Sequence, residues 1–289
     1  MSTSTRFALL AAAGLALTLT ACGHSSTAHS AMASAPASVS AAPSDGGMPG
    51  MDHMAPGTGL SATEDGYGLT AEAATLPAGR PTPYRFTVTG QSGKPVTDFT
   101  VEQTKRMHFY AIRSDLTGFQ HVHPTMAANG TWTAGLAALT PGSWRMFASF
   151  TPVSGKDVVL SLPVTVPGTA TKTPLPAAAG STEVDGYTVT VTGDPMAGMT
   201  GPLNVTVAKA GKPVTDLQPY LGTYAHLTAF HEGDAAFAHL HPVTEATGDR
   251  GGPDLAFHAD LPTSGNWRLF LQFQTGGTLH TAVVTLPVA

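Results

Sequence analysis

Tyr84-Arg-Phe-Thr-Val-Thr89 and Leu203-Asn-Val-Thr-Val-Ala208 are two segments in which apolar side chains alternate with polar ones. This period of two is typical of a β-strand that buries one face and exposes the other. Each segment runs through a glycine-containing turn into Lys-Pro-Val, at residues 94–96 and 212–214. The two segments therefore predict half-buried strands and an all-β fold.

The same segments belong to a sequence that occurs twice. Gly-Lys-Pro-Val-Thr-Asp at residues 93–98 returns unchanged at 211–216, and Phe-x-His-x-His-Pro at 119–124 returns at 237–242. The offset is 118 residues in both cases, and it also relates His108 to His226. A repeat this long indicates two domains rather than a solenoid. We place the domains at 63–167 and 182–289, joined by a linker at 168–181.

Further strands are expected in both repeats. Several short strands separated by turn residues within about 100 residues are typical of a small antiparallel sandwich. The sequence predicts two tandem sandwiches, immunoglobulin-like or cupredoxin-like, and does not choose between these topologies. The expected strands are 107–112, 119–123, 131–137, 143–150 and 157–165 in the first repeat, and 225–230, 237–241, 255–260, 266–273 and 279–286 in the second.

Composition excludes several classes of function. The 14 basic residues are outnumbered by 19 acidic ones and form no cluster, so no nucleic-acid partner is expected. A single cysteine excludes an internal disulfide, a paired redox motif and a cysteine-rich zinc site. Twelve histidines and ten methionines in a chain with 11% charged residues are the unusual feature.

The N-terminus has the features of an export signal. Arg6 precedes an apolar run from Phe7 to Leu17, which is too short for a comfortable membrane span. We interpret residues 1–21 as a signal peptide. Leu19-Thr-Ala-Cys22 resembles a bacterial lipobox, which implies that Cys22 is the lipid attachment site and that the mature protein is held extracytoplasmically at the cell membrane. An ordinary secretory signal with an incidental cysteine is the alternative.

Residues 22–62 are rich in Ser, Ala, Pro and Gly, and we expect a disordered tether. The tether contains three methionines and a histidine within seven residues. Thioether sulfur suits Cu(I), and imidazole accepts Cu(I), Cu(II) or Zn(II). The cluster resembles the Met/His-rich stretches of bacterial copper-resistance proteins; drift in an unconstrained linker is the alternative. The candidate ligands are Met48, Met51, His53 and Met54.

The H-x-H motifs are the second set of candidate metal ligands. Residues i and i+2 of a strand project from the same face, so each motif presents two imidazoles together. A short turn would fold the strand that carries His108 or His226 back beside its H-x-H strand and supply a third imidazole. Prolines 124 and 242 are expected to end the pairing. The predicted ligands are His108, His121 and His123 in the first repeat, and His226, His239 and His241 in the second.

Other conspicuous residues favour a structural role. Trp144, Phe147, Trp267 and Phe270 are expected in the two cores, with Arg145 and Arg268 in ion pairs at the rim. His258 and His280 have no histidine counterpart in the first repeat, so their roles are open. Met196 and Met199 form a weaker soft-ligand pair on a predicted loop.

The duplicated body resembles a family of secreted or lipid-anchored bacterial β-sandwich proteins associated with copper and heavy-metal handling. The resemblance rests on Gly211-Lys-Pro-Val-Thr-Asp216 through His226, on Phe237-Ala-His-Leu-His-Pro242 and on Gly265-Asn-Trp-Arg-Leu-Phe270. It implies a non-enzymatic metal-binding protein, with copper as the expected metal and zinc as the alternative. Such a protein captures or buffers the ion, or delivers it to another copper-handling protein.

Two other classes of function compete with this interpretation. Spaced histidines on a β-sandwich resemble copper/zinc superoxide dismutases, with His239, His241, His258 and His280 as the nearest match. No bridging histidine followed by a zinc-binding aspartate is recognisable, and the first repeat lacks two of the four positions. A metal-free adhesion or scaffold module is the third possibility, and it would leave the histidines unexplained.

Overall fold

Strand β3 (Thr82–Thr89) shows the alternation that its sequence predicts: Tyr84, Phe86 and Val88 are buried, and the residues between them are more exposed. Its counterpart in the second repeat buries Leu203, Val205 and Val207 in the same way. The structure is a computed structural model that describes residues 57–153 and 155–289. No helix within these residues is long and apolar enough to cross a membrane.

The first repeat is built from two antiparallel sheets. One sheet has the order β1-β2-β3-β7-β6, and the other has the order β5-β4-β8-β9. The remaining strands of this repeat are β1 (Thr63–Glu64), β2 (Tyr67–Ala71), β4 (His108–Arg113), β5 (Gln120–Val122), β6 (Thr125–Met126), β7 (Thr131–Leu136), β8 (Gly142–Phe150) and β9 (Val158–Val166).

The second repeat has the same plan, but its sheets are continuous. The order is β10-β11-β12-β16-β15-β14-β17-β18, with β13 paired to β12, because β15 pairs with both β14 and β16. The strands are β10 (Ser181–Val184), β11 (Tyr187–Thr192), β12 (Gly201–Lys209), β13 (Lys212–Pro213), β14 (Ala225–His231), β15 (Phe237–Pro242), β16 (Asp254–Ala259), β17 (Gly265–Thr275) and β18 (Thr278–Val288).

The strand order decides between the two topologies that the sequence leaves open. In the first repeat, β2-β3-β7-β6 corresponds to strands A-B-E-D of an immunoglobulin domain, and β4-β8-β9 corresponds to C-F-G. In the second repeat, β11-β12-β16 and β14-β17-β18 occupy the same places. Both domains are therefore immunoglobulin-like sandwiches, which confirms the predicted all-β class with two repeats.

The predicted hairpins carry the H-x-H motifs. Strand β4 pairs with β5, with Tyr110 opposite His121, and β14 pairs with β15, with Thr228 opposite His239. In both repeats this pairing ends before the proline, at Val122 and at Leu240. The chain then crosses to the opposite sheet. The sequence predicts that strand pairing ends at Pro242. The pairing with β14 does end before this residue, but Pro242 itself pairs with Phe257 of β16.

Each repeat has its own apolar core, and a third cluster lies between the repeats. The inter-repeat cluster consists of buried residues from both domains, with Phe119 packed against it. The prediction that Phe147 and Phe270 fill the domain cores is therefore wrong, because both side chains lie in this cluster, whereas Trp144 and Trp267 are in the cores. Its buried members are Tyr110, Ile112, Leu116, Phe147, Phe230, Ala235, Phe237 and Phe270.

The contacts between the repeats follow a pseudo-two-fold relation. Phe119 of the first repeat stacks on Phe270 of the second, with ring centres 4.2 Å apart. The counterpart of Phe119 is Phe237, and it stacks on Phe147, the counterpart of Phe270, at 5.4 Å. Equivalent surfaces thus meet each other, as they do in a two-fold symmetric dimer.

The predicted rim ion pairs of Arg145 and Arg268 are not found within the described residues. Arg145 donates hydrogen bonds to the carbonyl of Leu60 and to Ser161 Oγ. Arg268 donates to Thr285 Oγ1. Each arginine thus bonds a hydroxyl of the neighbouring strand, Ser161 of β9 or Thr285 of β18.

Candidate metal centre

Strands β4 and β14 are buried on both faces, and this places their histidines between the repeats. Phe109 and Ala111 point into the first core, so alternation sends His108 and Tyr110 to the opposite face. In β14, Leu227 packs into the second core, and His226 lies on the face toward the first repeat. The side chains of His108 and His226 are 4% and 1% exposed.

The three histidines predicted for the first repeat come together. One nitrogen from each of His108, His121 and His123 lies within 4.8 Å of the other two. The shortest separation joins His108 Nδ1 and His121 Nε2, at 3.1 Å. His123 follows the end of β5, and its ring centre is 4.7 Å from that of His121 and 5.1 Å from that of His108.

The hydrogen bonds of the first two rings define where their protons lie. His108 Nε2 is 3.1 Å from the carbonyl oxygen of Glu102, which only accepts, so Nε2 carries the proton of the neutral ring. His121 Nδ1 donates to Gln272 Oε1 at 2.7 Å. The two nitrogens that face each other, His108 Nδ1 and His121 Nε2, therefore both present lone pairs. Such a contact is stabilised by a cation between the nitrogens.

A proton between His108 Nδ1 and His121 Nε2 is disfavoured. Burial lowers the pKa of His108, and the positive charge of Lys105 lowers it further. Burial holds the pKa of His121 well below its ordinary value, and the neighbouring rings of His123 and His108 add to the effect. Both rings are neutral at pH 7, so both lone pairs are available to a metal.

His123 adds a third free nitrogen. Its Nε2 is buried and has no hydrogen-bond partner among the described residues. Burial, together with His108 and Lys105, lowers the pKa of His123 to about 4. An unsatisfied buried nitrogen is costly unless something binds it.

The three histidines predicted for the second repeat adjoin the first set, but within the described residues they do not form a second group with one nitrogen of each within 4.8 Å of the others. Ring centres are 4.6 Å apart for His226 and His239, and 4.9 Å apart for His239 and His241. His239 Nε2 is buried and lacks a partner among the residues that the structure describes. Among the described residues, the hydrogen bonds of His226 are long, 3.4 Å to the Tyr110 hydroxyl and 3.5 Å to Thr228 Oγ1.

The structure therefore joins what the sequence treats as two separate sites. The ring of His226 lies 4.5 Å from that of His121 and 5.7 Å from that of His108. His108 and His239 are 6.1 Å apart. We call the six residues the histidine cluster; its members are His108, His121, His123, His226, His239 and His241.

The other candidates are not members of the histidine cluster, although one of them, His258, borders it. His280 is buried and hydrogen-bonded to Asp185 and Thr275, which makes it a structural residue of the second repeat. His258 is exposed and lies opposite His241 on the neighbouring strand. The turn that carries Met196 and Met199 leaves both side chains more than half exposed. Cys22, Met48, Met51, His53 and Met54 lie outside the described residues.

Two residues that position His121, namely Tyr110 and Gln272, are not among the site residues predicted from the sequence. Tyr110 stacks on His121 with ring centres 4.4 Å apart, and Gln272 orients the same ring from the other repeat. A signal was present, because Met107-His-Phe-Tyr-Ala-Ile112 has aromatic or aliphatic residues at both sets of alternate positions, with His108 as the one exception. Such continuous runs are typical of strands that are buried on both faces.

The fold and the cluster define a class: a protein of two immunoglobulin-like sandwiches with histidines gathered between them. The chain belongs to the family described as Domain of unknown function (DUF8832), whose model matches residues 62–168 and 182–289. Each repeat is thus one copy of the domain. No curated protein sequence matches the chain.

Solved structures of other β-sandwich proteins align with most of the chain at low similarity. The fibronectin(III)-like modules of Clostridium thermocellum CbhA share 12% identity, with 76% of this chain and 93% of that chain covered and a TM-score of 0.21. The Ig1-2 module of the Drosophila receptor protein tyrosine phosphatase DLAR shares 8% identity over 77% and 98%, with a TM-score of 0.21. The Escherichia coli adhesin FdeC shares 16% over 78% and 65%, with a TM-score of 0.25.

Proposed function

We propose that this protein is a lipid-anchored, extracytoplasmic copper-binding protein that captures or buffers the ion, or delivers it to another copper-handling protein. The observation that carries the proposal is the convergence of three uncharged imidazoles, the buried His108 and the half-buried His121 and His123, on one point. Two of the nitrogens that present lone pairs, His108 Nδ1 and His121 Nε2, are 3.1 Å apart.

The spacing of the ligands suits a small metal ion. Metal–nitrogen bonds of about 2.0–2.1 Å in tetrahedral geometry put neighbouring nitrogens roughly 3.3 Å apart. The separation of His108 Nδ1 and His121 Nε2 is close to this value. The third nitrogen lies within 4.8 Å, so a modest rotation of His123 completes a three-coordinate site.

The surroundings of the ligands support the same conclusion. A histidine that binds metal almost always donates its other N–H to a carbonyl or carboxylate, which fixes the ring and its tautomer. His108 has the Glu102 carbonyl in this role, and His121 has Gln272 Oε1. Two of the three ligands thus have the support that a metal site requires.

Copper fits the donor set better than other ions do. All three ligands are neutral nitrogens, which suit copper and zinc and disfavour magnesium or calcium. Cu(II) binds such ligands more tightly than Zn(II) in the general order of divalent ions. The Met/His cluster of the tether, with its thioether ligands, adds a preference for Cu(I) on the same chain.

Two cavities border the histidine cluster. One, of about 40 Å³, borders His108, His239 and His241 and holds an ion or very few water molecules. The other, of about 380 Å³, borders His123 and has room for larger molecules. Superoxide is small enough to enter, so a superoxide dismutase assay on the copper-loaded protein separates binding from catalysis; rapid turnover would overturn the binding-only proposal.

The central experiment measures copper binding by the full chain. Copper content by mass spectrometry and competitive titration are compared for the wild type, His121→Ala and His123→Ala. To isolate the histidine cluster, serine replaces the candidate tether ligands Met48, Met51, His53 and Met54 in all samples, together with the other histidines and methionine of the tether, His24, His29 and Met32. Each substitution leaves two ligands at the first triad, so both variants should lose at least tenfold in affinity there.

His231→Ala is the matched control. Both ring nitrogens of His231 are hydrogen-bonded, to Asp234 and to the carbonyl of Ser264. This variant should bind copper as the wild type does. Unchanged affinity in His121→Ala and His123→Ala, with normal thermal unfolding, would contradict the proposal.

A further inference from the structure

We infer that the histidine cluster holds two metal ions as neighbours in one paired centre across the pseudo-two-fold axis, and not as two independent sites. This inference deepens the proposed function and rests on it. The first position is the triad of His108, His121 and His123. The second is formed by His226, His239 and His241.

The pairing follows from how the repeats meet. The pseudo-two-fold relation of the phenylalanine contacts also relates His121 to His239 and His108 to His226. His121 contacts His226 at 4.5 Å between ring centres, and the equivalent pair, His239 and His108, lies at 6.1 Å. We call the rings of His108, His121, His226 and His239 the inner rings. They form a compact group around the axis, with His123 and His241 on either side.

The second position has its own features of a ligand site. His239 Nε2 is buried and without a partner among the described residues, like His123 Nε2 in the first repeat. The cavity of about 40 Å³ lies beside His239 and His241, where an ion of the second position would lie. Two acidic side chains, Glu102 and Asp157, and two basic ones, Lys105 and Arg106, also line this cavity, so its formal charges balance.

The chain gives the two positions different environments. In the first, Gln272 holds His121 by a hydrogen bond of 2.7 Å. Position 149 is the counterpart of Gln272, and there a serine lines the cavity near His239. The serine side chain is shorter, and no hydrogen bond joins it to His239 among the described residues. The second position should therefore bind its ion more weakly than the first.

Magnetic coupling provides the test. The inner rings lie 4.5–6.1 Å apart, so two ions bound at the two triads lie within about 10 Å of each other. The full chain with serine at the tether ligands is loaded with two equivalents of Cu(II) and studied by electron paramagnetic resonance. We expect dipolar broadening and a half-field signal, which isolated Cu(II) ions do not give.

The variants assign the two positions. His241 is exposed, so His241→Ala leaves the packing intact and should remove the second copper and the coupling while the first copper stays. His121→Ala should also abolish the coupling, and His231→Ala should preserve it. Two bound coppers without coupling would overturn the inference. A single copper that is removed by His121→Ala and unaffected by His241→Ala would overturn it too, while leaving the proposed function intact.

Discussion

His121 Nδ1 of the first repeat donates a hydrogen bond to Gln272 Oε1 of the second, with 2.7 Å between the two atoms. This bond directs the lone pair of His121 Nε2 toward His108, so the second repeat determines the ligand geometry of the first. Replacing Gln272 with leucine removes the acceptor and keeps the volume similar. We expect copper affinity at the first triad to fall about 10- to 100-fold.

Competitive copper titration measures this effect, with the tether ligands replaced by serine. Gln274→Leu makes the same chemical change two residues along β17 and should leave the affinity unchanged. Gln272→Glu restores an acceptor and should recover most of the binding. Equal affinity in Gln272→Leu and the wild type would show that the bond does not position His121.

The metal-free protein should lose stability in mild acid. Burial lowers the pKa values of five histidines of the cluster in the folded state; they are His108, His121, His123, His226 and His239. Below the ordinary value of 6.5, the unfolded chain binds more protons than the folded chain, so the free energy of unfolding decreases as the pH falls. The stability is complete above pH 6.5 and declines between pH 6.5 and about 4, the folded-state pKa of His123.

Thermal unfolding in the presence of a chelator, at pH 7, 6 and 5, measures this decline. A fully buried imidazole that stays neutral contributes about 1.4 kcal/mol per pH unit below 6.5. His239→Phe removes one such group and should make the dependence on pH shallower. A melting temperature that is constant from pH 7 to 5 would contradict the burial of these rings in solution.

The phenylalanine contacts between the repeats should support both stability and copper binding. Phe270 is 4% exposed and stacks on Phe119, and its counterpart Phe147 is fully buried. Truncation of a buried phenylalanine to alanine costs about 3–5 kcal/mol. We therefore expect Phe270→Ala to lower the free energy of unfolding by about 3 kcal/mol and to weaken copper binding at the cluster.

Denaturant unfolding and copper titration of the same sample check both effects. Trp267→Phe is a suitable control, because Trp267 lies in the core of the second repeat and not between the repeats. The control should lose stability with little change in copper affinity. Wild-type copper affinity in folded Phe270→Ala would mean that the inter-repeat contacts do not hold the ligands together.

Membrane anchoring depends on Cys22 if the lipobox interpretation is correct. Cys22→Ser removes the thiol that accepts the lipid, so the protein should appear in the soluble fraction or retain its signal peptide. Cell fractionation and the mass of the mature N-terminus measure this. Serine substitution at Met32, in the same tether, should leave the anchoring unchanged, and full membrane association of Cys22→Ser would contradict the interpretation.

Local patterns in the sequence predict the strands, because alternation and turn residues act over a few residues. The period of two in Tyr84–Thr89 and the turn after Arg113 are sufficient for β3 and for the hairpin of β4 and β5. The repeated H-x-H motif likewise predicts which histidines gather, because paired strands bring His108 beside His121.

The relation between the repeats depends on contacts that no local pattern contains. Phe147 and Phe270 have the same alternation as core residues, and only the packing of one sandwich on the other shows that they lie between the domains. The same packing brings His226 against His121 and places Gln272 as the partner of His121. The sequence by itself determines two immunoglobulin-sized β-domains, each with three matching candidate ligand histidines. The tertiary structure alone decides that these histidines form one cluster, because the phenylalanines of the inter-repeat cluster pack the two sandwiches against each other.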